Sequence, residues 1–236
     1  GTDNIGRDML SRIIYGARIS MYVGLAGAAL DVLVATFIGA ISGFVGGTFD
    51  LVVQRFVDAW MCFPPLFIML SVMALLGPGL VSVILVLGIS AGIGASRVVR
   101  SAVIGIKENV YVEAARAIGC TRTQLLVRHI LPNIMAPIII IFTIAMGSMI
   151  LMEATLSFLG FGVPPPQPSW GGMLSGPGRY QMNTAPWMAI WPGLALAIVV
   201  YGINMLGDAV RDILDPRLRG GLGRYGSVKR RRVRLE

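Results

Sequence analysis

The charges of this chain are gathered into blocks, with long uncharged stretches between them. Between Arg18 and Asp50 the only charge is Asp31, and residues 59–96, 130–152 and 180–207 carry no Asp, Glu, Lys or Arg. A helix needs about 20 apolar residues to cross a bilayer. By that measure 19–49 holds one span, 130–152 a second and 180–207 a third. The stretch 59–96 is long enough for two short spans, and Gly77-Pro78-Gly79 interrupts it with the residues of a tight turn. The pattern therefore predicts an all-α membrane protein, a polytopic helix bundle with about five spans. Its first span, 19–45, is rich in small residues. Gly24, Gly27, Gly39 and Gly43 are expected to let neighbouring helices approach closely in lipid.

Composition agrees with that pattern. The chain is 55% hydrophobic and 14% charged, with a mean hydropathy of +0.75, against roughly 25% charged residues in a soluble domain. Cytoplasmic loops carry the excess of Lys and Arg in membrane proteins. Placing the polar block around Glu113 on the cytoplasmic side leaves sixteen Lys and Arg inside and four outside, namely Arg7, Arg12, Arg18 and Arg179. The net charge of +8 is thus a topology signal, with a cytoplasmic C-terminus and no nucleic-acid partner. The run Lys229-Arg230-Arg231-Arg232 in the basic tail 219–236 is expected to meet anionic membrane lipid. Residues 1–18 alternate charges with Ile, Met and Leu as an outer interfacial segment does, and they lack the apolar core of a signal peptide. An odd number of spans places Gly1 outside, so one upstream span is expected to precede this sequence. Residues 19–218 form the membrane domain, and Cys62 and Cys120 fall on its cytoplasmic side, where thiols stay reduced.

The most informative block is Glu113-Ala114-Ala115-Arg116-Ala117-Ile118-Gly119, followed by His129-Ile130-Leu131-Pro132-Asn133. Arg116, Arg122 and Arg128 keep this stretch out of lipid, while Ala114, Ala115, Ala117, Ile118, Leu125 and Leu126 form apolar faces at helical spacing. Gly119 breaks the run, which predicts two short helices meeting at a bend. Pro132 suits the start of the next helix. Together these features describe a docking surface for a soluble partner. The block resembles the Glu-Ala-Ala loop of inner-membrane permeases from binding-protein-dependent ABC importers. Residues Gly1–Ser20 and Glu153–Gly172 are similar to the C-type permeases of the dipeptide/oligopeptide branch. Asp50, Arg55 and Asp58 ahead of Phe63-Pro64-Pro65 resemble further positions of the family. The resemblance covers Gly1 to about Leu218.

That resemblance implies a bundle of the type I ABC importer permease kind, with a coupling loop at about 107–132. It implies a second permease, two ATP-binding subunits that carry ATP and Mg, an extracytoplasmic substrate-binding protein, and alternating access. Glu113 would be the polar anchor of the docked loop, Ala114, Ala115 and Ile118 its packed surface and Gly119 its bend, with Arg116, Leu125 and Pro132 completing the set. Peptides, a metal chelate or a modified amino acid all suit the branch as solute. A secondary transporter and a membrane scaffold without transport remain as rival readings.

Other chemistry is missing from the sequence. The only lysines, Lys107 and Lys229, do not end a phosphate-cradling loop, so the chain is expected to be no enzyme and to bind no cofactor. One His and two Cys give no metal-ligand spacing. A membrane aspartyl protease would need two facing carboxylates at membrane depth, and Asp31 and Glu153 lie in no such motif. Asp31 still needs an account, because a carboxylate at mid-bilayer costs about 2.5–3.5 kcal/mol even on the lenient scale. It could line a pathway with Glu153, Ser157 and Phe158 and meet the cationic end of a substrate. It could instead be a protonated or hydrogen-bonded packing residue, or lie near the interface on a helix that begins late. The outer segment from Glu153 to Gly172 is expected to be irregular and either buried in protein or lining a cavity. Trp170, Trp187 and Trp191 suit the membrane–water boundary.

Overall fold

The computed structural model describes residues 1–214. The expected basic tail and the cytoplasmic C-terminus lie outside the described residues. Helix α1 (Met9–Val45) is 37 residues long, and Asp8 caps its start by accepting the Ser11 N–H at 2.8 Å. The helix thus begins at Met9 rather than near Ile19, so most of the expected interfacial segment is helical. Gly46, with φ +70°, turns the chain directly into α2 (Gly47–Met61). The stretch holding Asp50, Arg55 and Asp58 is therefore helical. Pro64 and Pro65 then admit a bend of 88° into α3 (Pro65–Leu76), where Pro65 sits in a first turn that needs no N–H. Gly77-Pro78-Gly79 separates α3 from α4 (Leu80–Lys107), as the sequence pattern predicts.

Beyond α4 come α5 (Val110–Ala117) and the short α6 (Arg122–Gln124). The chain continues through a π-helical segment, Leu125–Ile130, and a 3-10 turn, Leu131–Ile134, into α7 (Met135–Phe158). Helices α8 (Trp170–Tyr180) and α9 (Trp187–Leu214) complete the described residues. Among the described residues four helices are long and apolar enough to cross a membrane: Met9–Val45, Leu80–Lys107, Arg122–Phe158 and Trp187–Leu214. The bent pair α2–α3 makes up to five.

The bundle is organised on α1. Helix α4 runs beside it in the same direction, with Gly88 against Leu30, Gly92 against Val34, and Gly39 and Gly43 against Arg100. A Cβ on Gly92 would stand 2.7 Å from the Asp31 carbonyl oxygen, and one on Gly39 would strike the Ser96 carbonyl. Lipid tails are as apolar as Leu, so close van der Waals approach replaces the hydrophobic drive between such helices. Helix α7 runs opposite to α1, with Gly24 against Ile150 and Gly27 against Met149. Helix α9 lies on α7 through Gly147 and Asn204 and through Gly207 and Thr143. The main core contains Val23, Met69, Met73, Leu87 and Ile150. The C-termini of α1 and α4 share one end of the bundle with α5, here the loop end. Met9, Pro78 and Trp170 mark the opposite end.

Gly39→Ala should therefore lower stability by about 1–3 kcal/mol through overpacking, read as a lower unfolding midpoint in detergent. Gly94→Ala, whose new Cβ meets nothing within 4 Å, should be neutral or gain up to about 1 kcal/mol. Equal midpoints for the two variants would contradict the packed seam.

Candidate functional site

The loop end is built from α5 outward. Val112 and Ala115 on α5 pack with Leu125, Phe44, Ile106 and Cys120 in a small core of their own. The other face of α5 is open: Glu113, Ala114, Arg116 and Ile118 are exposed, Ile118 by 84%. Gly119 follows with φ +91°, a region Gly enters without strain. Thr121 and Gln124 then form a capping box that restarts the helix. Two short helices at a bend are thus present. The docking set divides, however. Ala115 and Leu125, 5% and 2% exposed, face the chain's own core and have no surface to offer a partner. Val110 and Tyr111, 81% and 43% exposed, extend the open face and were not singled out by the sequence pattern. Pro132 is exposed in the 3-10 turn, one turn before α7 begins.

Polar bonds hold that end together. Lys107 Nζ donates to the Phe44 carbonyl at 2.7 Å, satisfying an orphan acceptor in the last turn of α1. Arg100 Nε donates to Asp50 Oδ1 at 2.6 Å, and the Ser42 hydroxyl donates to the same oxygen. One carboxylate therefore joins α1, α2 and α4. Arg97 pairs with Asp58, which also meets Arg55 at 3.4 Å. The Arg55–Asp58 pair lies within α2 at a spacing of three, whereas the other two pairs cross from α4. A cleft of about 310 Å³ behind α5 is lined by Gly46, Asp50, Lys107, Glu113 and Arg116.

Of the pathway candidates, Glu153 and Ser157 come together, while Asp31 and Phe158 stand apart from them. Asp31 is 4% exposed, and its Oδ1 has no hydrogen-bond partner among the described residues. It lies about 33 Å along α1 from Met9 at 1.5 Å per residue, well inside the helix, which removes the late-start explanation. Glu153 is fully buried and helical, within α7 rather than in an irregular segment. Its Oε1 accepts from Ser157 Oγ at 2.7 Å and its Oε2 from Ser20 Oγ at 3.2 Å. Ser169 continues the cluster, standing 3.5 Å from Ser157 and accepting the Gly172 N–H at 3.1 Å. Phe158 instead faces outward, 43% exposed, with the Arg179 guanidinium 5.9 Å from its ring.

The irregular outer path begins only after Phe158 and ends at Trp170. It lines a cavity of about 330 Å³ with Arg7, Arg12, Ser157, Pro164 and Pro168. Trp170 is 2% exposed and donates Nε1–H to the Ile13 carbonyl at 3.0 Å, so it is a buried anchor. Trp187 and Trp191 remain exposed. At the same end the Asp3 carboxylate accepts from the Ile5 N–H and from the Arg7 N–H and Nε. Burial pushes that carboxyl up, but the bonds from Arg7 and Ile5 outweigh it and hold it below its ordinary range. Among the described residues no group of three or more His, Cys, Asp or Glu could hold a metal ion.

Long apolar helices round a seam of small residues, with a polar helical loop at one end, define an all-helical polytopic membrane protein. Residues 35–220 match the family described as binding-protein-dependent transport system inner membrane component. The dipeptide transport system permease protein DppC of Alkalihalophilus pseudofirmus is 39% identical over 219 residues, covering 93% of this chain and 72% of that protein. The oligopeptide transport system permease protein OppC of Bacillus subtilis is 40% identical over 219 residues, with the same coverage of 93% and 72%. An inward-facing structure of the MetNI methionine ABC transporter superposes with a TM-score of 0.71 at 18% identity, covering 88% of this chain and 98% of that one. At that identity the likeness concerns the fold. The chain belongs to the binding-protein-dependent transport system inner membrane component family, as a permease subunit with the type I ABC importer permease fold.

Glu153→Ala should cost about 2–3 kcal/mol, because it opens a hole and leaves the Ser20 and Ser157 hydroxyls unpaired. Glu153→Gln keeps the shape and an acceptor and should cost clearly less. Proteolysis of residues 159–169 should rise in the Ala variant alone. Wild-type stability of Glu153→Ala would remove the cluster as an anchor of the outer path.

Proposed function

We propose that this permease subunit imports peptides, enclosing the pathway with a second permease and drawing energy from two ATP-binding subunits docked at its loop end. The observation that carries this reading is the two-faced build of α5. One face is seated on α1 and α4 through Val112, Ala115 and Leu125. The other exposes Val110, Tyr111, Ala114 and Ile118 beside Glu113 and Arg116, a mixture of apolar and charged groups that suits a protein–protein contact. The printed names of the relatives, a dipeptide and an oligopeptide permease, support peptides as the solute.

In this mechanism closure of the ATP-binding subunits displaces α5, and the seat of α5 passes the displacement to α1 and α4. The spans then rock to expose the pathway alternately. Glu113, Arg116 and Ile118 contact the partner, Gly119 sets the angle between α5 and α6, and Ala115 and Leu125 hold the loop to the bundle. The loop end faces the cytoplasm, as the sixteen-to-four division of Lys and Arg supports. The Trp170 end meets the extracytoplasmic binding protein. Asp31 is the pathway residue of this reading.

Ile118→Asp should strip the ATP-binding subunits during purification and reduce ATP-dependent peptide uptake at least about tenfold while the permease still inserts. Ile118 is 84% exposed, so the fold does not depend on it. Gly119→Val, strained by about 1–2 kcal/mol at positive φ, should act in the same direction. Normal co-purification of both variants would refute docking at this loop. In the same assay Asp31→Asn should slow cationic peptides more than neutral ones. Equal uptake of both would assign Asp31 to packing.

A further inference from the structure

A polar groove of about 490 Å³ opens between α2 and α4 at the loop end, lined by Asp50, Gln54, Arg55, Asp58, Arg97 and Arg100. Three guanidinium groups face two carboxylates there, which leaves one net positive charge (three minus two). The internal bonds occupy few of the available donors. Arg100 uses Nε and one terminal nitrogen on Asp50, Arg97 uses one nitrogen on Asp58, and Arg55 reaches Asp58 only at 3.4 Å. Each guanidinium carries five N–H donors. The groove thus holds a surplus of charged donors and suits an anion with several acceptor oxygens.

Its level in the bundle points to the source of that anion. Arg97 is the first charge after the uncharged stretch 59–96, so the groove opens where the apolar part of the chain ends. Leu51, Val52 and Phe56 are exposed by 56%, 48% and 74%. Spacings of four residues place Leu51 on the stripe of Arg55 and Val52 on that of Phe56. A soluble anion would meet only the groove, whereas a lipid would meet the groove with its headgroup and the apolar stripe with its acyl chain. We propose that the groove between α2 and α4 binds the phosphate headgroup of an anionic membrane lipid. The bound phosphate bridges Arg55 on α2 to Arg97 and Arg100 on α4, beside the carboxylate that joins α1, α2 and α4. This site is independent of which solute the permease carries and of the side on which the loop end lies.

The full-length chain with its co-purifying subunits, placed in nanodiscs of mixed phosphatidylcholine and phosphatidylglycerol, provides the test by native mass spectrometry of retained lipid. The wild-type protein should retain phosphatidylglycerol over phosphatidylcholine. Arg55→Gln should weaken that retention about fivefold, the value of one arginine at an anionic surface. Arg55→Lys should restore most of it, and Arg128→Gln, an exposed arginine away from the groove, should leave it unchanged. Arg55 is 75% exposed at its side chain, so these substitutions spare the fold. Retention by Arg55→Gln equal to wild type would overturn the proposal. Release of the lipid by millimolar inorganic phosphate would overturn it too, marking a site for soluble anions. Loss of lipid whenever the ATP-binding subunits are present would show the groove to be a protein contact, and would also overturn it.

Discussion

The close approach of α1 and α4 is the constraint on which the other parts rest. Gly39, Gly43, Gly88 and Gly92 let the two helices approach until each glycine meets backbone or the root of a side chain of the other helix, and the resulting dispersion contacts take the place that hydrophobic burial holds in water. Because the two helices run in the same direction, both deliver their C-termini to one end. The turn at Gly46, the Lys107 bond to Phe44 and the shared Asp50 carboxylate all become possible there. The small core of Val112, Ala115 and Leu125 then needs only Phe44 from α1 and Ile106 from α4 to seat α5.

At the opposite end a second set of buried polar groups does comparable work with fewer charges. Glu153 takes hydroxyl donors from α1 and α7, Ser169 extends the cluster to the start of α8, and the Trp170 indole reaches back to the Ile13 carbonyl. An irregular, proline-rich path is thereby held against three helices, and its backbone groups avoid lipid that could not satisfy them. Each end of α1 is thus tied to other elements by bonds between residues far apart in sequence.

Charge-free runs and Gly-Pro punctuation made the spans legible, because a bilayer imposes length and apolarity directly on the sequence. The bend at Gly119 and the two short helices were legible for the same local reason. What could not be read were contacts set by tertiary register. Ala115 and Ala114 are adjacent and chemically identical, yet only the packing of α5 on Leu125 decides which of them is exposed. Arg97 and Arg100 find Asp58 and Asp50 across 39 and 50 residues. Trp170 looked like an interface residue by type, and its burial depends on Ile13 lying beside it. The charges of residues 1–18 read as an interfacial segment, and the sequence pattern did not single out the Asp8 cap that starts α1 at Met9.

The central physical claim is that α1, α4 and the loop carried on them move as one body during transport. Spin labels at Leu10 and Thr123, both exposed and at opposite ends of that body, give the direct test in an assembled complex with Cys62 and Cys120 replaced by Ser. The Leu10–Thr123 distance should be the same with and without ATP, while distances from Thr123 to its counterpart on the second permease change. A nucleotide-dependent shift within the chain of more than about 5 Å, one helical turn, would contradict the rigid seam.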